Sequence, residues 1–381
     1  MVRVLWAGGA QKIAIKEASE LKEEGHKVKL IFLRKARSGD VYSELLKDLD
    51  FIVLNDSNKN TSVFTPLYEF ISAFFSHTLF SNREYRKDGR VDFDLLRKVP
   101  KIIMDGNYDK IICHDEYAGI VGYYCWKKTG VPYYVYLHES LAHDHPIIGY
   151  PIYKYLLSIL RNASRLFSVS EKIANDSNLR FGLNVVANFP GFEKYPIVPT
   201  ESRERTIVSI LAIGDQPLDV VKTHYARNPV YLLSLESWLR TYNAICVGAS
   251  KNTENTDSII QYFKENKSKV KIIVNLPEKE KMDLLSKSRF LIRFGYREFG
   301  VGTSIIEAIS CGIPVIMNSD IGTSDIVRKW RAGFVVDPAY PEEIGKLVED
   351  LNEEQYKELV KNVVNLRDSW TWRDHVGLLL K

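Results

Sequence analysis

Two carboxylates, the adjacent hydroxyls of Thr303 and Ser304, and several glycines gather between Gly295 and Met317, in GYREFGVGTSIIEAISCGIPVIM. Gly300 and Gly302 loosen the backbone just before Thr303 and Ser304, residue types that start helices. Ile305, Ile306, Ala308 and Ile309 give the helix an apolar face, and Gly312 with Pro314 stops it ahead of a short apolar strand. The free amides of a helix start attract phosphate. Glu298 lies in the loop and Glu307 one helical turn inside, both able to accept hydrogen bonds from hydroxyls. A ligand carrying phosphate and sugar hydroxyls, a nucleotide sugar, suits that pairing.

Other chemistry-bearing residues are more scattered. Gly8 and Gly9 follow the first strand and precede a helix, so the chain there can pass close to a phosphate or simply turn tightly. His138 ends a strand on the side where ligands bind in parallel sheets. It opens HESLAHDHP, where His143 and His145 follow, but HExxxH is one residue too long for the zinc motif HExxH, and a solvated loop is expected. Between Val63 and Arg90 an aromatic stripe (Phe64, Tyr68, Phe70, Phe74, Phe75, Phe80) adjoins Arg83, Arg86 and Lys87. Such a segment could touch anionic lipid as a peripheral membrane contact, or form a buried helix followed by a polar loop. Ser170 in SVSEK reads as a helix cap. There is no GxSxG and no Ser-His-Asp or Cys-His nucleophile, and neither a metal nor a cofactor is expected.

These residues must be positioned by a scaffold, and 381 residues suffice for two domains with their own cores. An excess of +4, from 52 basic and 48 acidic side chains interspersed along the chain, gives no ground for nucleic-acid binding. No apolar run reaches the roughly 20 residues that span a bilayer. Met1 leads at once into VRVLWA, so no signal peptide is expected. Cys113, Cys125, Cys246 and Cys311 form no CxxC pair and read as buried thiols of a reducing cytoplasm.

Along the first half, VRVLWA, KVKLIFL, FIVLN, KIIC, YYVYLH and LFSVS alternate with amphipathic segments. Strands separated by helices of this length predict right-handed crossovers and a parallel sheet. FPGFEKYPIVPTESRER, with three prolines and a charged run, reads as a linker. The pattern restarts with TIVSILAIG, NAICVG, KIIVN, FLIRFG and PVIMN. The expected fold is α/β: two doubly wound Rossmann-like domains with a crevice between them, at 1–190 and 205–365. The terminal SWTWRDHVGLLL, about 366–381, is read as a crossover helix returning to the first.

In this order, GGAQKIAIKEASELKEEGHKV, YYVYLH, the Gly295–Met317 segment and the terminal SWTW resemble the GT-B glycosyltransferases, glycosyltransferase family 4 in particular. The resemblance implies a metal-independent, retaining hexosyltransferase-like enzyme acting on a nucleoside-diphosphate sugar. The leaving diphosphate would take the acceptor's proton on the face of attack, and domain closure would exclude water. It places Glu307 on the ribose and Glu298 and His138 near the transferred sugar. Eight residues separate Glu298 from Glu307, where the family has seven. The additional residue belongs in the loop, because inside the helix it would turn every later side chain by about 100°.

The family's phosphate-clamping Arg and Lys should follow IVSILAIG, but Asp215 stands after Gly214, and Lys222 is the nearest base. Arg293 and Arg297 are the candidate substitutes. Gly8, Gly9, Gly302, Thr303 and Ser304 complete the expected donor site. The acceptor would be a glycan, lipid or protein hydroxyl. A nucleotide-sugar epimerase and a non-catalytic binding protein are the alternatives on this scaffold.

Overall fold

A computed structural model describes residues 1–5, 8–35, 42–56, 93–143, 153–214, 216–222, 226, 228–250 and 252–381. Asp215, His145 and the 63–90 segment, all singled out above, lie outside these residues. The chain forms two compact units, Met1–Pro190 with Trp372–Lys381, and Gly191–Thr371.

In the first unit seven strands form one parallel sheet: β1 (Val2–Leu5), β2 (Leu30–Lys35), β3 (Phe51–Asp56), β4 (Ile111–His114), β5 (Tyr133–Leu137), β6 (Arg165–Ser168) and β7 (Val185–Ala187). Their spatial order is β3-β2-β1-β4-β5-β6-β7. Every residue of β5 is buried, as expected for a central strand covered by helices on both faces. The helix Gly9–Glu23 buries Ile13, Ala14, Ile15, Ala18 and Leu21 at helical spacing. Asp115 and Ser170 cap the helices Glu116–Thr129 and Glu171–Phe181 by accepting from Ala118 N and Ile173 N.

A second parallel sheet, in the second unit, contains β8 (Glu204–Ile213), β9 (Asn243–Ser250), β10 (Lys271–Val274), β11 (Ser288–Arg293), β12 (Val315–Met317) and β13 (Gly333–Val335), ordered β10-β9-β8-β11-β12-β13. Strand β12 is fully buried. Phe290, Ile292, Ile316 and Tyr356 belong to the core that holds this sheet against its helices. Burying side chains of that size stabilises by about 1.5–3 kcal/mol each.

In both sheets the winding reverses beside the first strand, between β1 and β4 and between β8 and β11. The carboxyl ends of these strands are the favoured ligand positions of doubly wound sheets. Strands β7 and β13 were absent from the sequence expectation. Each has three residues and lies at a sheet edge, too short for a periodic signal.

Residues 366–371 stay in the second unit, where the helix Glu353–Ser369 ends. There Phe192 N donates to Trp370 O at 3.0 Å. The returning helix Trp372–Leu380 packs on Gly9–Glu23 with His375, Val376 and Leu379 buried. Among the described residues no helix is long and apolar enough to cross a membrane.

Candidate active site

The second unit gathers its candidates where β11 and β12 end. Leu291, Ile292 and Arg293 pair with Val315, Ile316 and Met317, which brings Gly295 beside Asn318. Asn318 Oδ1 accepts from Gly295 N at 3.0 Å and its Nδ2 donates to Gly295 O at 2.8 Å. That double bond fixes the root of the loop carrying Glu298. Within the loop Arg297 adopts φ 52°, and its amide donates to Asp320 Oδ2.

The helix Thr303–Ser310 begins after Gly302, at φ 64°. A side chain at residue 302 would place its Cβ 2.8 Å from Arg293 Nε, so glycine is required on two counts. The helix closes in a Schellman motif, with Gly312 N donating to Ile309 O and Ile313 N to Ala308 O. No side chain caps its start. The first amides of a helix have no partner within it. Ser304 is buried, and among the described residues its Oγ has no hydrogen-bond partner. Glu307 lies three residues on, along the same helix face.

Each carboxylate has its own cation. Lys281, on the helix Glu278–Lys287, donates to Glu307 Oε1 at 3.0 Å and also lies 2.8 Å from Glu278. Arg293 donates to Glu298 Oε1 at 2.5 Å. Lys281 was not anticipated, because its segment EKEKMDLLSK reads as an ordinary polar helix. Pairing lets two carboxylates sit near an anionic ligand without uncompensated charge.

Arg293, a candidate substitute for the phosphate clamp, donates to Glu298 and lies against Gly302. Arg297 and Lys222 are exposed, with their cations over the rings of Tyr296 and Tyr262.

In the first unit Gly8 is extended just ahead of the helix and Gly9 is its first residue, and Gly8 O accepts from Tyr42 Oη. His138 follows β5 directly and is half-buried. Its Nε2 lies 3.0 Å from His114 Nδ1. His114 Nε2 lies 3.2 Å from Glu17 Oε1, and Glu17 Oε2 lies 3.0 Å from His375 Nε2. Tyr136 packs against all three histidines.

Burial pushes the Glu17 carboxyl up, but the facing His114 and His375 outweigh it and hold it well below the ordinary carboxylate range. Burial, followed by the nearby His114, keeps His138 well below its ordinary value, so it is neutral. Beside them Asp115 occupies φ 91°, and burial together with Asp115 raises Glu116 to about 8. His143 contacts Asp176 and Arg180. All four cysteines are buried and unpaired, their thiols pushed up to about 12 chiefly by burial.

Residues 7–188 match the family model described as Glycosyltransferase Family 4, and residues 236–366 match that of Glycosyl transferases group 1. Anabaena HepE, solved in complex with UDP and glucose, shares 15% identity at a TM-score of 0.70, covering 100% of this chain and 98% of its own. A glycosyltransferase from Rickettsia africae is 17% identical at a TM-score of 0.70, covering 100% and 95%. At such identities these likenesses speak for the fold. Sucrose synthase 3 of Arabidopsis thaliana is 33% identical over 58 residues, 15% of this chain and only 7% of that protein.

Proposed function

The chain belongs to the GT-B glycosyltransferases of the family 4 type, and from that premise we propose that it transfers a hexose from a UDP-sugar to a hydroxyl acceptor with retention and without a metal ion. The observation that carries this is the start of the helix Thr303–Ser310. A glycine-capped helix end and a buried Ser304 hydroxyl without a partner among the described residues make a phosphate cradle. Glu307 stands one turn inside it, held by Lys281. Uridine and glucose are favoured by the ligands of Anabaena HepE.

In this reading Glu307 accepts hydrogen bonds from the ribose hydroxyls. Glu298, fixed by Arg293, and His138 orient the sugar. Gly8 and Gly9 let the backbone approach the substrate closely. The bond from the anomeric carbon to the diphosphate oxygen breaks as the bond to the acceptor oxygen forms on the same face. The acceptor's proton passes to the leaving diphosphate. Such a step depends on stabilising the departing charge more than on an enzymic nucleophile. The amides of Thr303 and Ser304, the Ser304 hydroxyl, Arg297 and Lys222 supply that stabilisation.

The test uses water as the surrogate acceptor. UDP-glucose is incubated with the protein and a chelator, and the anomeric proton of released glucose is followed by NMR. The expected result is UDP in equal amount with α-glucose, ahead of mutarotation. β-Glucose first would overturn retention, and a free epimer would identify an epimerase. Activity only after adding a divalent metal would overturn metal independence. No release from UDP-, GDP-, ADP- or TDP-sugars would overturn the transferase reading.

A further inference from the structure

The helix Glu278–Lys287 packs beside the helix Thr303–Ser310 and sends one cation to it. Lys281 Nζ lies 3.0 Å from Glu307 Oε1 and 2.8 Å from Glu278 Oε2, which stands one turn earlier on its own helix. The side chains of Lys281 and Glu307 are 14% and 10% exposed, whereas that of Glu278 is 49% exposed. The ammonium is therefore held between a half-exposed carboxylate of its own helix and a buried one of the neighbouring helix.

The two contacts differ in weight. An exposed ion pair contributes little, so Glu278 serves chiefly as a second anchor for the ammonium. A carboxylate shielded from water is costly unless a cation faces it, and Glu307 has Lys281 for that purpose. A glutamate side chain also has several rotatable bonds, and holding its carboxylate in one place costs entropy that a fixed partner must offset. An ammonium on Oε1 supplies both the charge and the hold. Two carboxylates face this one cation, so the three side chains together are net negative. That balance leaves no surplus positive charge to draw a diphosphate, and it separates Lys281 from a phosphate-clamping base.

We propose that Lys281 is a positioning residue that sets the Glu307 carboxylate for the ribose hydroxyls, so that selection of ribonucleotide over 2′-deoxyribonucleotide donors depends on it. The proposal rests on the reading of Glu307 as the ribose acceptor, and Lys281 acts through that residue without touching the ligand. A carboxylate accepting from both ribose hydroxyls loses one charge-assisted bond when the 2′-hydroxyl is missing. The loss is large only where the carboxylate already stands in place, because a mobile one pays for its ordering out of the same bonds.

The test is a double-mutant cycle on the full chain, read by calorimetric titration with UDP and with 2′-deoxy-UDP. Wild type is expected to prefer UDP by about 10- to 100-fold. Lys281→Met keeps the length and helix propensity of the side chain and removes its charge. It should weaken UDP about 10-fold and 2′-deoxy-UDP no more than about threefold, so that the preference for UDP shrinks. In the Glu307→Ala background the same substitution should change UDP affinity by less than about twofold.

A Lys281→Met protein with unchanged UDP affinity and unchanged preference would overturn the proposal. So would an equal loss for both ligands that persists beside Glu307→Ala, since that is the mark of a cation acting on the phosphates. Should Lys281→Met not fold, Lys281→Gln, with a polar but uncharged head, goes through the same cycle and is judged by the same criteria. If Glu307→Ala alone keeps full UDP affinity, or wild type does not prefer UDP to 2′-deoxy-UDP, the ribose reading fails and the proposal falls with it. If Glu307→Ala weakens UDP while Lys281→Met does not, the positioning role fails alone.

Discussion

Glu307→Ala is expected to weaken UDP binding about 100-fold, with the melting temperature kept within a few degrees. A carboxylate accepting from two ribose hydroxyls makes charge-assisted hydrogen bonds of roughly 1.5–3 kcal/mol each. Such contributions do not add fully, and a net loss of about 2.7 kcal/mol corresponds to 100-fold in affinity. The fold should tolerate the change because Lys281 keeps its second partner, Glu278, at 2.8 Å. Alanine is also the best helix former for the vacated position. Calorimetric titration with UDP, alongside a thermal scan of the free protein, checks both halves. Full affinity in a folded variant would remove Glu307 from the ribose.

His138→Ala should produce the other large effect, a fall in kcat of about 100- to 1,000-fold, as when a preorganised polar contact to the reacting group is lost. UDP affinity should stay within about threefold, because the contacts assigned to the nucleotide come from the second unit. His138 is half-buried, and among the described residues its side chain makes one hydrogen bond, to His114, so its truncation leaves the sheet intact. Steady-state rates of UDP release, with UDP affinity measured in parallel, separate these quantities. A variant whose melting temperature drops while kcat holds would make His138 a structural residue only.

Much of the scaffold was legible because parallel strands buried on both faces must be continuous apolar runs. YYVYL and PVIM are fully buried in the structure, as their composition requires. Edge strands carry no such requirement, and β7 and β13 left no comparable trace. After Gly295, glycine spacing and helix chemistry placed Gly302 at the start of one helix with Thr303, Ser304 and Glu307 on it. Arg297 in the loop before it has a left-handed backbone, which no local pattern in the sequence announced.

What stayed hidden were partners brought together by topology. Glu17 sits among Lys12, Lys16, Glu20 and Lys22, where any acid reads as a solvated surface charge. Its two histidines are 97 and 358 residues away. Lys281 is 26 residues from Glu307 on a different helix. Arg293 was legible as a cation of the loop, but its commitment depends on Glu298 folding back over the end of β11. Local pattern reports which face of an element is apolar; it does not report which polar side chains that face will meet.

The central claim is that the second unit holds a UDP-sugar at the start of the helix Thr303–Ser310. Thermal unfolding of the wild-type chain against UDP, GDP, ADP and TDP, free and linked to hexoses, tests it most directly. At about 100 times its dissociation constant a ligand stabilises by roughly 2.7 kcal/mol, enough to raise the midpoint by several degrees. The account predicts a rise with UDP and UDP-hexose that Glu307→Ala abolishes at the same concentrations. A rise with a different nucleotide would contradict the assigned base, and no rise with any of them would contradict the site itself.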